Sequence, residues 1–282
     1  MYVPMGTGNY STYMGKVSFN LGNIKFSVMR NINNGNSKGY NHIYKYNPNG
    51  RSHQDTKTTL DMFQLNHFLN EKMFYDFRIS RSENYFGSYV FRDFDSYNVL
   101  KSDGEYQGVY HFAGDTVYNY VHDKYMTAYG VGFFTGGQDK GHTQRTTTTT
   151  NAKFDLTWQA NNAHSLKFGY SATFYNLDNK YRSIRNEYAG TSLDSDFYKP
   201  VVYDDTTVYA DIYKVKPKEF SAYLQDKFEK DEIVINFGLR YDQFDANTIY
   251  PSQRRNPTNS STYYLQKIDG TDSLDFDGNL II

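Results

Sequence analysis

From Lys153 to Phe174 the chain alternates apolar and polar residues at nearly every step, a period of two that fits a β-strand and not a helix. Phe154, Leu156 and Trp158 hold one parity, and Lys153, Asp155, Thr157 and Gln159 hold the other. The polar connection Asn161-Asn162-Ala163-His164 follows. Leu166, Phe168, Tyr170, Ala172 and Phe174 then alternate with Ser165, Lys167, Gly169, Ser171 and Thr173. A long antiparallel hairpin with one apolar and one polar face accounts for this pattern.

The same unit recurs. Ile233, Ile235, Phe237, Leu239 and Tyr241 alternate with Val234, Asn236, Gly238, Arg240 and Asp242. They follow Lys230-Asp231-Glu232 and a strand over residues 220–229 in which Phe220, Ala222, Leu224 and Phe228 share a parity. Met73, Tyr75, Phe77 and Ile79 alternate with Asp76, Arg78 and Ser80 after Asn70-Glu71-Lys72. The strand before them, residues 58–68, shifts its pattern midway, as a bulge there would make it do. Near the start, Val17, Phe19 and Leu21 meet Ile24, Phe26 and Val28 across Gly22-Asn23. The expectation is an all-β chain of about eight antiparallel strands in four hairpins.

The connections sharpen this. Within hairpins they are short. Between hairpins, over residues 31–57, 82–145 and 176–216, they run to about 27, 64 and 41 residues, far above the usual ~4–6. A soluble sandwich has no reason to gather every long loop at one end. A transmembrane barrel of the outer membrane does so, with short periplasmic turns, long extracellular loops and strands that are apolar outward and polar inward. Phe68, Phe74, Trp158 and Phe228 lie within a few residues of a short turn, while Phe174 and Tyr241 lie about one crossing of ~9–11 residues away. Two aromatic girdles of that kind flank the apolar band of a barrel.

Composition narrows the rest. Tyr, Phe and Trp make up 18% of the 282 residues, which sets the chain apart from aromatic-poor disordered sequences. The absence of cysteine excludes disulfide scaffolds, Cys-ligated zinc, thiol catalysis and Fe–S clusters. A net charge of −1 argues against a nucleic-acid partner. Mean hydropathy is −0.76 and no apolar run reaches the ~20 residues of a spanning helix. That value suits a barrel, because eight strands need only about 40 lipid-facing positions and the loops supply the polar remainder. Met1-Tyr2-Val3-Pro4-Met5-Gly6 has no basic segment followed by an apolar one, and Leu280-Ile281-Ile282 follows a polar, acidic stretch. These ends fit either a mature chain whose signal has been removed or, as the sharper expectation, a piece of a longer protein.

No nucleophile arrangement or catalytic carboxylate pair is readable, so no enzyme, metal or cofactor is expected. His42, His53, His67, His111, His122, His142 and His164 lack metal-ligand spacing and read as scattered surface residues. Gly130-Val131-Gly132 lacks the third glycine and helix of a phosphate cradle. Asp275-Phe276-Asp277-Gly278-Asn279 has its glycine too early for a calcium loop. Residues 146–150, all threonine, read as a β-branched entry into the strand above the membrane. By parity the inward positions are Asp76, Arg78, Lys153, Asp155, Lys167, Asn236, Arg240 and Asp242, mixed charges that would line a wet passage or hold a second domain. Loop tyrosines Tyr89, Tyr106, Tyr110, Tyr118, Tyr120, Tyr125 and Tyr129 would either present a surface to a glycan, peptide or chelate or pack the loop onto itself.

Ser221-Ala222-Tyr223-Leu224-Gln225-Asp226-Lys227-Phe228-Glu229, followed after a short turn by Ile235-Asn236-Phe237-Gly238-Leu239-Arg240-Tyr241-Asp242, resembles the paired barrel strands of TonB-dependent outer-membrane receptors. Tyr44-Lys45-Tyr46-Asn47-Pro48-Asn49-Gly50 and Phe74-Tyr75-Asp76-Phe77-Arg78-Ile79-Ser80 resemble the Oar-like branch of that family. The resemblance is carried by segments spaced along residues 10–245. It implies a large barrel of about 22 strands in the outer membrane of a Gram-negative bacterium, surrounded by lipid and lipopolysaccharide. A plug domain engaged by TonB would admit a scarce nutrient, and the inward charges would contact that plug. The chain departs from the family in having no plug domain, no TonB-contacting segment and no terminal aromatic strand. The expectation for residues 1–282 is therefore a partial receptor barrel. Two other readings compete: a self-contained eight-stranded adhesin or structural barrel, and a soluble secreted β protein that binds carbohydrate.

Overall fold

The structure, a computed structural model, describes residues 6–92, 109–112, 115–118, 120, 122, 132–134, 136–194, 200–203 and 205–248. The chain divides into two units, Met1–Ala246, which holds the sheet, and Asn247–Ile282. Eight long strands carry the first unit: β1 (Thr7–Leu21), β2 (Ile24–Lys38), β3 (His53–Asn70), β4 (Met73–Tyr89), β5 (Gly141–Gln159), β6 (His164–Ser183), β7 (Lys218–Lys230) and β8 (Ile233–Asp245). Each pairs antiparallel with the next, so the sheet is a meander in chain order with β1 and β8 at its edges. No pairing joins β1 to β8 among the described residues. The expected all-β section of an antiparallel transmembrane barrel, four hairpins with short turns and long loops, is what the chain forms.

The turns are tight because their residues permit it. Gly22 takes φ of 70° at the first position of a two-residue connection, a backbone region that glycine enters without steric cost. Asp231 adopts φ of 54° in the turn between β7 and β8, one of the few non-glycine residue types that tolerate it.

The hairpins are staggered in a regular way. Ile24 lies level in the ladder with Tyr75, two residues past the start of β4 at Met73. Met73 lies level with Leu166, two past His164, and His164 lies level with Ile235, two past Ile233. One residue of shift per strand, ~3.4 Å against ~4.8 Å of strand spacing, tilts the strands by about 35° when the turns are set at one level. Barrel walls have that tilt.

The register also sorts the two faces. Val17, Phe19, Phe26, Val28, Phe63, Phe77, Phe154, Phe168, Leu224, Phe237 and Leu239 share one face. No described residue covers it: Leu239 is 84% exposed, Phe237 61% and Leu224 56%. Buried apolar residues among those described are few, namely Tyr44, Tyr89, Tyr120, Ala172 and Ile184. A sheet with so few buried apolar residues among those described and so much exposed apolar surface on one face calls for an apolar solvent, which a bilayer supplies. The soluble carbohydrate-binding reading fails on this observation. The apolar face ends where Arg30, Asp61, Arg81 and Lys218 take outward positions, about 6–12 residues from the turns, a height of roughly 25 Å.

The strands outrun the sequence expectation at the loop end. Residues 31–38, 82–89, 141–145 and 176–183 are strand, so the connections between hairpins shrink to 39–52, 90–140 and 184–217. In the last of these, Ala210–Val215 pairs with β6 in the same register as β7 does. Pro217, which has no N–H to give the ladder, interrupts it, and its carbonyl accepts the Tyr175 N–H at 2.9 Å. The expected bulge midway through residues 58–68 is absent: β3 keeps register with β4 as far as Phe68, and the shift falls between Phe68 and Asn70, beside the turn. The midway change of pattern arises because Leu60 and Met62 point inward, Met62 opposite Met29 and Ser80.

Candidate functional site

Alternation puts every second residue of the wall on its inward face, and the register gathers most of the expected charges into two adjacent rows. One row runs Lys25, Asn66, Asp76, Asp155, Gly169, Tyr223, Arg240; the next runs Ser27, Gln64, Arg78, Lys153, Ser171, Ser221, Asp242. Asp76 thus faces Asp155 and Arg78 faces Lys153 on neighbouring strands. Like charges directly opposite are unfavourable, and the neighbouring row relieves them. Lys153 Nζ lies 2.8 Å from Asp155 Oδ2, and Asn66 Nδ2 donates to Asp76. At the far end Arg240 donates from Nε to Asp242 Oδ2 at 2.9 Å and from Nη2 to Oδ1 at 2.8 Å. Both members of that pair are more than half exposed, so solvent screens the fork.

Tyr223 organises the first row. Its ring lies across Gly169, where a Cβ would overlap it, and its hydroxyl donates to Asp155 Oδ1 at 2.8 Å. Sequence reasoning placed neither residue in the site, because a lone Gly and Tyr on facing strands carry no signal until the register is known. Lys167 stands one row nearer the turn, opposite Thr157 and Gln225, and Asn236 lies opposite Lys227, which pairs with Glu229 at 2.6 Å. Among the described residues Arg78 and Lys167 have no carboxylate within salt-bridge distance.

Above the apolar band the inward face opens into a cleft of about 420 Å³ lined by Asn84, Phe86, Arg145, Thr147, Asn179 and Tyr213, among others. The Arg145 guanidinium stacks 5.6 Å from the Phe86 ring. Asn179, 8% exposed, donates to the Asp211 carbonyl at 2.9 Å. Apart from Thr147 in the threonine run, none of these stood out in the sequence, since they lie on the strand extensions where no apolar face declares the parity.

The loop tyrosines separate. Tyr106, Tyr125 and Tyr129 lie outside the described residues. Tyr110 and Tyr118 belong to a small hairpin, Val109–Phe112 with Asp115–Tyr118. Tyr120 is 2% exposed and packs with Ile184, Val90, Phe91 and Val202; burial pushes its phenol well above the usual range. Tyr89 is fully buried, its ring stacked on His142 at 5.2 Å. His142 is 0% exposed, which corrects its expected place among surface histidines. No cluster able to hold a metal occurs among the described residues. The 146–150 threonines lie within β5, as expected. Residues 130–131 and 275–279 lie outside the described residues.

Tyr89 also donates to Asp55 Oδ2 at 2.5 Å, high on the outward face. Burial raises the Asp55 carboxyl, but hydrogen bonds from Tyr89 and Asn36, with the nearby charges of His53 and Arg92, outweigh it and hold it below the usual range. A depressed carboxylate stabilises above its unfolded pKa of ~3.9 and loses that contribution as pH falls through the folded value. Protection factors of the amides of residues 53–58, corrected for the intrinsic pH dependence of exchange, are expected to fall on acidification below about pH 4, with Tyr89→Phe moving the change to higher pH. A pH-independent profile in both proteins would contradict this.

No protein-family model matches the chain, and no curated protein matches it in sequence. Solved structures do match. FpvA of P. aeruginosa, bound to a heterologous pyoverdine with iron, aligns with a TM-score of 0.51 at 14% identity, over 85% of this chain and 31% of that one. BauA, the ferric preacinetobactin receptor of Acinetobacter baumannii, aligns with a TM-score of 0.46 at 10% identity, over 85% of this chain and 34% of that one. The chain spans about one third of the length of these receptors. The likeness to FpvA is one of fold.

Proposed function

We propose that residues 1–282 are a section of the barrel wall of a TonB-dependent receptor in the outer membrane of a Gram-negative bacterium. Joined to a plug domain and to further strands, the section takes part in uptake of a scarce nutrient. The observation that carries this reading is a single open sheet with a lipid-ready outward face and two charged rows on the inward face. In lipid, the unpaired backbone groups of an edge strand cost several kcal/mol each, so β1 and β8 call for partner strands. Those partners are supplied by the rest of a larger barrel, and the self-contained eight-stranded adhesin has no β1–β8 ladder to support it.

In this reading the two rows from Lys25 to Arg240 and from Ser27 to Asp242 face the plug and hold it by charge pairs. Arg78 and Lys167 are cations for plug carboxylates. The cleft beside Arg145, Phe86 and Tyr213 faces the nutrient, and Tyr106, Tyr110, Tyr118 and Tyr125 are its candidate loop contacts. Surrounding lipid and lipopolysaccharide complete the partner set.

Protease added to intact cells that carry the whole receptor tests the topology. Cleavage between β4 and β5, over residues 90–140, is expected, with the turn at residues 160–163 spared. Cleavage at that turn alone would reverse the orientation. In the same cells, uptake that persists without TonB would overturn the transport assignment.

A further inference from the structure

We infer that the loop-side half of the inward wall binds an extended oligosaccharide that carries carboxylates, with Arg145 as the carboxylate's partner. This inference deepens the barrel-wall reading above and rests on it. The inward face changes character along the strands. Near the turns it holds the charged rows that pass through Asp76 and Arg78. The four rows nearest the loops run from the row of Met14 and Tyr175 up to the row of Gly8 and Asp211. They are built mainly from Ser, Thr, Asn, Gln and aromatic side chains, and Arg145 and Asp211 are their only charged residues. Hydroxyls and amides both donate and accept, as the hydroxyls of a sugar require.

The rings set the length of the ligand. One of these rows carries Tyr10, Phe86 and Tyr213 at intervals of three strands. At ~4.8 Å per strand, neighbouring rings stand ~14 Å apart along the wall. Tyr10 is 75% exposed and lies across Gly35, where a Cβ would stand 2.9 Å from its ring. Tyr213 is 43% exposed. Such faces take the apolar side of a sugar ring while the phenol hydroxyls bond its edge. A compact ligand covers one ring; only an extended one reaches the next.

The charge comes from the cleft of about 420 Å³. Stacking on Phe86 at 5.6 Å holds the plane of the Arg145 guanidinium, and among the described residues no carboxylate lies within salt-bridge distance of it. The two nearby carboxylates are engaged elsewhere: Asp178 lies 3.7 Å from Lys214 Nζ, and Asp211 Oδ2 accepts from Asn179 Nδ2 at 3.2 Å. A guanidinium held in plane offers a carboxylate two parallel N–H groups. Beside it, Thr58 Oγ1 donates to Asn84 Oδ1 at 2.9 Å, so the Asn84 amide has its N–H groups to give a sugar hydroxyl. One cation set among neutral donors and acceptors fits an acidic sugar.

The test presents the intact receptor in detergent to an array of oligouronates, the same oligomers with every carboxyl reduced to an alcohol, and the reduced oligomers bearing sulfate esters. The wild type is expected to bind at least one oligouronate about tenfold more tightly than its reduced counterpart, the effect of one charged hydrogen-bonding partner. Arg145→Gln should abolish that preference and leave the affinity for the reduced oligomer as it was. Tyr213→Ala should weaken both about equally, and the monomeric uronate should bind less tightly than its oligomer. Should Arg145→Gln fail to fold, Arg145→Lys keeps the charge, loses the fork and is expected to lose most of the preference. No binding of any oligouronate, equal binding of the reduced form, preference for the sulfate ester, or a preference that survives at position 145 would each overturn the inference. The TonB requirement of uptake, measured on cells carrying the same receptor, decides the barrel reading separately.

Discussion

Leu239→Arg is expected to destabilise the barrel in a bilayer by about 2–4 kcal/mol, while Asn236→Arg costs less than about 1 kcal/mol. Leu239 is an outward residue, 84% exposed and paired with Leu224, midway between the turn at Ile233 and the edge of the apolar band. An arginine there places its charge near the middle of the hydrocarbon, where neither water nor a counter-ion is within reach. Asn236 has the other parity and lies opposite Lys227, which Glu229 already partners. A cation added at that point meets a wet, mixed-charge wall. Urea titration of the intact receptor folded into vesicles measures both. Equal costs would contradict the assignment of faces.

The second large effect is expected at Gly169. Its missing side chain makes the space in which the Tyr223 ring lies, and that position brings the phenol to Asp155 at 2.8 Å. Gly169→Val forces the ring aside in a wall whose strand spacing cannot widen, at a cost of about 1–3 kcal/mol for overpacking. The same change strands Asp155 with Lys153 alone. Tyr223→Phe keeps the ring over the glycine and loses only the hydroxyl, so it should cost about 1 kcal/mol. The combination Gly169→Val with Tyr223→Ala should recover part of the valine loss. If the valine cost survives unchanged without the tyrosine, the ring is not what Gly169 accommodates.

These two sites mark what a sequence of this kind reveals. Phe154, Leu156 and Trp158 announce their face because lipid demands an unbroken apolar parity, and the same demand fixes Lys153 and Asp155 on the other side. Residues 31–38 carry no such mark. Asn33, Asn34, Gly35 and Asn36 are turn-forming by composition, yet they are strand because residues 54–58 of β3 hold them in register above the membrane, where both faces meet water. Asp226 breaks the parity rule outright. It lies on the outward face opposite Leu166 and Phe237, 8% exposed, with His164 Nδ1 at 2.7 Å from its Oδ2. A histidine sixty-two residues away in the chain partners its Oδ2 alone, leaving the buried Oδ1 without a hydrogen bond among the described residues, and only the pairing of β6 with β7 brings the two together. The inward rows were visible as parities. Their grouping into acid beside acid and base beside base was not, because it depends on how far each strand slides past its neighbour.

The central claim is that one face of this sheet meets lipid and the other meets water, and cysteine scanning along β8 tests it most directly. The chain has no cysteine of its own, so each introduced thiol reports alone. Single cysteines at positions 234 to 241 of the intact receptor, treated in membranes with a small membrane-impermeant maleimide, should label with a period of two. The positions of Asn236, Gly238 and Arg240 should react, while those of Ile235, Phe237, Leu239 and Tyr241 stay protected until detergent is added. A uniform pattern, or protection of the even positions instead, would contradict the account.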